Sequence, residues 1–91
     1  MNKSVFVSNV LQEYPSLFTT EGLEAIWNYY EMHETCTGFK WPTPADVGAI
    51  WEEFSSMEEA RENYEVPPGL ELDDYTDMGV LESGRVVVMR F

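Results

Sequence analysis

His33 and Cys36 are the two side chains whose types and spacing come nearest to a catalytic or metal-binding pair, with Glu34 between them. Zinc needs further converging ligands, and a cysteine nucleophile needs an orienting group for its histidine and a site for the oxyanion. The sequence identifies none of these groups. It therefore predicts no catalytic residue, no metal site and no enzymatic activity, and Cys36 is expected to be a reduced, partly buried thiol.

A second candidate for metal binding is the aspartate-rich segment 73–79. A calcium loop of the EF-hand type needs oxygen ligands at alternate positions, a glycine at the sixth and a glutamate at the twelfth. Counting from Asp73, the third position is Tyr75, the sixth is Met78 and the twelfth is Gly84, so the pattern fails. The chain also lacks a glycine-rich phosphate loop. No bound cofactor is expected.

Negative charge is the strongest chemical signal in the chain. Seventeen acidic residues face five Lys and Arg, which gives a net charge of −12, and eleven of the seventeen lie between Glu52 and Glu82 with Arg61 as the only basic residue. Such a field repels nucleic acid, whose binding requires Lys and Arg, and attracts positively charged protein surfaces. We expect a basic protein surface as the partner and no direct contact with DNA or RNA.

The composition predicts one small globular domain over residues 1–91. The hydrophobic fraction is 44% and the aromatic fraction 14%, which is enough apolar material to fold despite the charge. Residues 1–11 lack the continuous apolar run of a signal peptide, and no later run approaches the length that spans a membrane. The sequence therefore predicts a soluble, cytoplasmic protein.

Two helices are predicted in the first half of the chain. An apolar stripe of helical period over 4–14 indicates the first, which Pro15 ends. Thr20 is the predicted N-cap of the second, which should run to about Thr35 and end before Gly38.

Segment 43–54 fits two different structures. Thr43 and Pro44 are typical of a helix start, and Val47, Ile50, Trp51 and Phe54 have helical spacing. Alternation of apolar residues and the aromatic content favour a strand instead. Local patterns alone slightly favour the helix.

The second half of the chain has clearer signals. Ser56 and Glu59 fit a capping box, which predicts a helix from Ser56 to about Tyr64. Segment 66–69, with two prolines and a glycine, predicts a rigid turn. Residues 78–81 and 85–91 then predict a β-hairpin with glycine in its connection.

Four segments of the chain resemble a family of short acidic proteins encoded by phages and mobile elements, mostly of unassigned function. They are FTTEGLEAI at 18–26, WEEFSSMEEA at 51–60, DYT at 74–76 and GRVVVMRF at 84–91. The resemblance implies a strand over residues 47–54. It also implies an origin in a mobile element, where small acidic proteins often inhibit host defence systems.

Together these signals predict an α+β fold in the order α-α-β-α-β-β. We expect a three-stranded antiparallel sheet covered on one face by the helices. An all-α bundle with a terminal hairpin is the alternative if residues 47–54 are helical.

For function, the sequence predicts a non-enzymatic inhibitor that blocks the basic nucleic-acid-binding surface of a host defence nuclease. A CRISPR effector or a restriction enzyme is the expected target. Three glutamates of the predicted helix recur on one face over ~10 Å, a density near that of DNA phosphates. The residues expected to stand in for phosphates are Glu52, Glu53, Glu58, Glu59, Glu62, Glu65, Asp73, Asp74 and Asp77, with Tyr64 and Tyr75 as aromatic anchors.

A second hypothesis assigns the chain to a different class of protein. A homodimer or adaptor without nucleic-acid mimicry would use the final strand as an open sheet edge. Binding that depends on salt favours the phosphate mimic, and a dimer that does not depend on salt favours this assembly module.

Overall fold

Helices and short strands alternate along residues 2–91, the part of the chain that the computed structural model describes. The elements are α1 Lys3–Glu13, α2 Thr20–His33, α3 Pro44–Ile50, β1 Trp51–Phe54, α4 Met57–Asn63, a 3₁₀ turn Leu72–Asp74, β2 Met78–Val80 and β3 Val86–Met89. The α+β class and the predicted order are confirmed, with α3 as an additional short helix. Within the described residues, no helix is both long and apolar enough to cross a membrane.

The three strands form an antiparallel sheet in the order β1-β3-β2. Val86 of β3 lies opposite Phe54 of β1 and opposite Val80 of β2. The final strand is therefore central, and the expectation that it offers an open edge is wrong. The pairing with β1 joins residues 32 to 38 positions apart, which local patterns do not reveal. The edges of the sheet are β1 and β2.

Helices cover both faces of the sheet, not one as expected. Val87 belongs to a core with residues of α1, α2 and α3. Val86 and Val88 belong to a second core with Ala60 of α4 and Leu72 of the 3₁₀ turn. Successive side chains of a strand point to opposite faces, so a continuous apolar run is buried only where both faces are covered.

Segment 43–54, for which the sequence allowed either a helix or a strand, contains both. Thr43 and Asp46 form a reciprocal capping box, and Pro44 occupies the first turn of α3, so residues 44–50 are helical and the strand expected over 47–54 is wrong for residues 47–50. The strand begins only at Trp51. At the end of α3, the Arg90 guanidinium donates to the carbonyls of Gly48 and Ala49 at 3.0 Å each. The guanidinium thus provides a donor for carbonyls at the C-terminal end of α3, where a helix has no further amides to pair with them.

The remaining helix boundaries lie close to those predicted. The N-cap of α2 is Thr19 rather than Thr20, and α2 ends at His33, two residues early. Cys36 lies just beyond and is exposed, not partly buried. The N-cap of α4 is Ser56, as predicted.

The second core can be tested with a matched pair of leucines. Leu72 is 1% exposed whereas Leu70 is 43% exposed. We expect Leu72→Ala to lower the free energy of unfolding by about 2–4 kcal/mol, because it leaves a cavity beneath α4. Leu70→Ala should change it by no more than about 0.5 kcal/mol. Urea denaturation measures both, and equal effects would contradict a core on this face.

Candidate functional site

The two glutamates of β1 point to opposite faces of the sheet, and both have partners within the protein. Glu53 accepts hydrogen bonds from Thr19 N at 2.9 Å, Thr19 Oγ1 at 2.7 Å and Arg85 Nε at 2.5 Å. Its side chain is 0% exposed, although the residue as a whole is half-buried. Glu53 therefore joins α2 to the sheet and is not a surface carboxylate.

Glu52 lies on the other face, where it connects α4 to the sheet. Its Oε1 accepts a hydrogen bond from the Tyr64 hydroxyl at 3.0 Å and lies 3.4 Å from Arg90 Nε. Burial, the hydrogen bond to Glu52 and the charge of Glu52 raise the pKa of Tyr64 to about 12, against a smaller opposing effect of Arg90. Tyr64 thus packs within the protein, and a third of the Glu52 side chain remains exposed.

Three predicted glutamates on α4 and just after its C-cap accept no side-chain hydrogen bond within residues 2–91. Glu58, Glu62 and Glu65 are exposed and line an open groove of about 490 Å³ together with Met57, Arg61 and Val66. Glu59 is also exposed, but its carboxylate accepts from Ser55 N at 3.1 Å and Ser55 Oγ at 3.0 Å. The sequence predicts that Glu59 accepts from the Ser56 amide, but in the structure it accepts from the amide of Ser55, one residue earlier.

A second hollow lies between α4, the 3₁₀ turn and β2. Its lining residues are Met57, Glu71, Leu72, Asp73, Met78 and Val80. Met57 lines both hollows, and Arg61 Nη1 lies 3.7 Å from Glu71 Oε2 across the boundary. Carboxylates of α4 and of the 3₁₀ turn therefore border two adjoining hollows that share Met57. We call the two hollows together the acidic groove, and their apolar lining residues its floor.

Two predicted aspartates, Asp74 and Asp77, do not line the acidic groove and accept hydrogen bonds from other groups of the protein. Asp74 Oδ2 accepts from Glu71 N at 3.1 Å and so caps the 3₁₀ turn. Asp77 Oδ2 accepts from the Tyr29 hydroxyl at 2.8 Å, which links the start of β2 to α2. Burial, this hydrogen bond and the charge of Asp77 raise the pKa of Tyr29 to about 12.

The structure thus gathers Glu58, Glu62, Glu65 and Asp73 from the predicted set. Sequence reasoning missed Glu71 and the apolar floor of the acidic groove. Met78 and Val80 alternate in β2, a period that places both on the face toward α4 and could have indicated the floor.

Beside the end of α4, three aromatic rings form a stack. The Phe91 ring centroid lies 4.7 Å from that of Tyr64 and 5.8 Å from that of Tyr75, and both pairs are near parallel. These rings line a small cavity of about 120 Å³ together with Glu65, Val66 and Pro67. We call it the aromatic groove. Tyr75, predicted as an anchor, is 46% exposed here.

No protein-family model matches this chain, and neither a curated protein sequence nor a solved structure does. The resemblance to short acidic phage proteins therefore remains a prediction from its four segments. Within residues 2–91, no three His, Cys, Asp or Glu side chains are grouped so that they could hold a metal ion.

The role of Glu53 predicts an unusual result for Gly22→Ala. Alanine normally stabilises a helix by about 1 kcal/mol relative to glycine. Here an added Cβ would overlap the Glu53 carboxylate, because α2 lies directly against it. We expect the free energy of unfolding to fall by about 1–3 kcal/mol instead, as in an overpacked core. Denaturant unfolding tests this, and a more stable variant would contradict the buried position of Glu53.

The Tyr64 hydroxyl predicts a loss of stability at high pH. Its pKa is raised from 10.0 to about 12 in the folded chain, so the contribution of the neutral hydroxyl is complete below pH 10 and is lost as the pH rises through about 12. We expect the stability difference between the wild type and Tyr64→Phe to shrink over that window. A difference titration of phenolate absorbance should show a midpoint near 12, and Glu52→Gln should lower it.

Proposed function

We propose that this protein is a non-enzymatic inhibitor that occupies the basic nucleic-acid-binding surface of another protein. The observation that supports this function best is the acidic groove, in which exposed carboxylates from α4 and from the 3₁₀ turn border two adjoining hollows. Two elements separated along the chain present one negative surface there. In this proposal, those carboxylates stand in for phosphates.

The charges at the groove have little internal compensation. Arg61 is the only basic residue among those that line its two hollows, and it already lies beside Glu71. Glu58, Glu62 and Asp73 are exposed. With a net charge of −12, the protein would attract a basic partner over long range and associate quickly at low salt.

The apolar floor gives the groove a second means of binding. Met57 and Met78 are half-buried, and Val80 is 64% exposed. Protein interfaces combine an apolar centre with a polar rim, and unbranched methionine side chains adapt to irregular partners. A basic surface with apolar side chains between its cations would fit both parts.

The target class in this proposal is a host defence nuclease, such as a CRISPR effector or a restriction enzyme, met in the host cytoplasm. Such enzymes hold nucleic acid through Lys and Arg contacts to phosphates. The support for this narrower step is the resemblance to phage and mobile-element proteins together with the charge. Binding of the inhibitor and binding of nucleic acid would exclude each other.

Neutralising the groove tests the proposal. We expect the triple variant Glu58→Gln, Glu62→Gln and Asp73→Asn to bind a sensitive nuclease roughly tenfold more weakly and with a shallower salt dependence, since each exposed ion pair contributes up to about 1 kcal/mol. Purified CRISPR effectors and restriction enzymes, assayed for cleavage and for DNA competition, provide the measurement.

The matched control removes three exposed charges from α1 and α2, with Glu13→Gln, Glu24→Gln and Glu31→Gln. It has the same net charge as the groove variant but an intact groove. Equal losses in the two triple variants would contradict a role for the groove and leave only a general effect of charge. Binding that DNA does not compete with would contradict phosphate mimicry.

An assembly module remains the second candidate, and the edge position of β2 is the observation that favours it. Pairing of β2 between two copies would give a homodimer that is insensitive to salt. Light scattering at several protein and salt concentrations detects it, and a monomer at every concentration contradicts it.

A further inference from the structure

We infer that the aromatic groove is a receptor for an arginine side chain of the basic partner, an inference that rests on the proposed function and adds to it. The acidic groove supplies charge, but exposed carboxylates alone do not select arginine over lysine. The aromatic groove lies at the end of α4, next to the acidic groove, and Glu65 and Val66 line both. Its lining combines three aromatic residues with an acidic one.

The rings of the aromatic groove are held in place yet open to solvent. Tyr64 is fixed by its hydrogen bond to Glu52 at 3.0 Å and by an edge contact with Phe54, with ring centroids 5.8 Å apart. Phe91 stacks on Tyr64, and Tyr75 lies parallel to Phe91 at an interplanar angle of 11°. Tyr75 and Phe91 remain 46% and 58% exposed. The ring of Tyr64, which is held by the protein, therefore supports the stacked and exposed rings of Phe91 and Tyr75.

Glu65 occupies a position where glutamate is unfavourable for two separate reasons. Val66 N donates to the carbonyl of Arg61 at 3.1 Å and Glu65 N to that of Glu62 at 3.2 Å, which is the Schellman arrangement at a helix end. Glu65 has φ 53°, the left-handed conformation that normally selects glycine. Its negative charge also lies at the negative end of the helix dipole.

The local geometry therefore does not explain a glutamate at this position, but a cationic ligand would. Among cationic side chains, arginine suits the aromatic groove best. Its planar guanidinium stacks on aromatic faces and donates to a carboxylate at the same time, whereas the lysine ammonium is a compact, strongly hydrated charge. The groove has a volume of about 120 Å³, and its lining includes all three rings and Glu65.

The test uses the full 91-residue chain and a blocked Gly-Arg-Gly tripeptide, with the citrulline and lysine tripeptides as matched probes. NMR titration should show saturable shifts of the Tyr75 and Phe91 ring protons with the arginine peptide. Citrulline has nearly the same shape without the charge, and it should bind at least two- to fivefold more weakly, as should lysine.

Two variants separate binding from folding. Glu65→Gly should raise the melting temperature, by on the order of 4 °C, while weakening arginine binding at least twofold. Tyr75→Leu should weaken binding similarly, and Glu31→Gln, which changes an exposed charge of α2 outside both grooves, should leave it within about twofold. Equal binding of arginine and citrulline peptides, or shifts absent from the two rings, would overturn the inference.

The outcome is independent of the nuclease experiment. If the arginine peptide binds the rings but no nuclease is inhibited, the proposed function fails and the arginine site remains. If a nuclease is inhibited through the acidic groove while Tyr75→Leu and Glu65→Gly inhibit as well as the wild type, the arginine site is wrong and the proposed function remains.

Discussion

The buried carboxylate of Glu53 joins three elements that are far apart in the sequence. It accepts from the N-cap residue of α2 and from Arg85, the residue before β3, while its backbone in β1 pairs with Val87 of β3. The Thr19 hydroxyl donates to Glu53 and accepts from Gly22 N, so the cap of α2 and the attachment of α2 to the sheet are one network. With α2 fixed on one face, β1 presents its alternate side chains to the other. On that face, Glu52 accepts a hydrogen bond from the C-cap residue of α4, and Phe54 belongs to the same core as Ala60 of α4. Helix α4 in turn positions both grooves.

This arrangement divides the nine acidic residues that were predicted to stand in for phosphates into two groups with different tasks. Glu52, Glu53, Glu59, Asp74 and Asp77 accept hydrogen bonds from within the protein and hold elements together. Glu58, Glu62, Glu65 and Asp73 have exposed side chains around the grooves. The first group keeps the second in place. Charge that looks continuous in the sequence is thus partly structural, although of the first group only Glu53 has a side chain with no exposed surface, whereas Glu59, Asp74 and Asp77 are exposed.

How far the sequence predicted this structure depends on the range of the interactions involved. Caps and turns are local, so Ser56, Thr43 with Pro44, and the hairpin of β2 and β3 were predictable from a few residues each. The central position of β3 was not, because it depends on pairing with β1 across a long stretch of chain. The roles of Glu52 and Glu53 were hidden for the same reason. Alternation places them on opposite faces, but only the docking of Thr19, 34 residues away, determines which one is buried.

The division of the carboxylates can be measured directly by carbodiimide labelling of the folded chain, followed by peptide mass spectrometry. Each carboxylate reports its own accessibility. We expect Glu58, Glu62, Glu65 and Asp73 to be labelled readily, and Glu53 to remain protected until the chain is unfolded by denaturant, because its side chain is 0% exposed and engaged with Thr19 and Arg85. Labelling of Glu53 in the native protein at the rate of Glu58 would contradict this account of both the fold and its acidic surface.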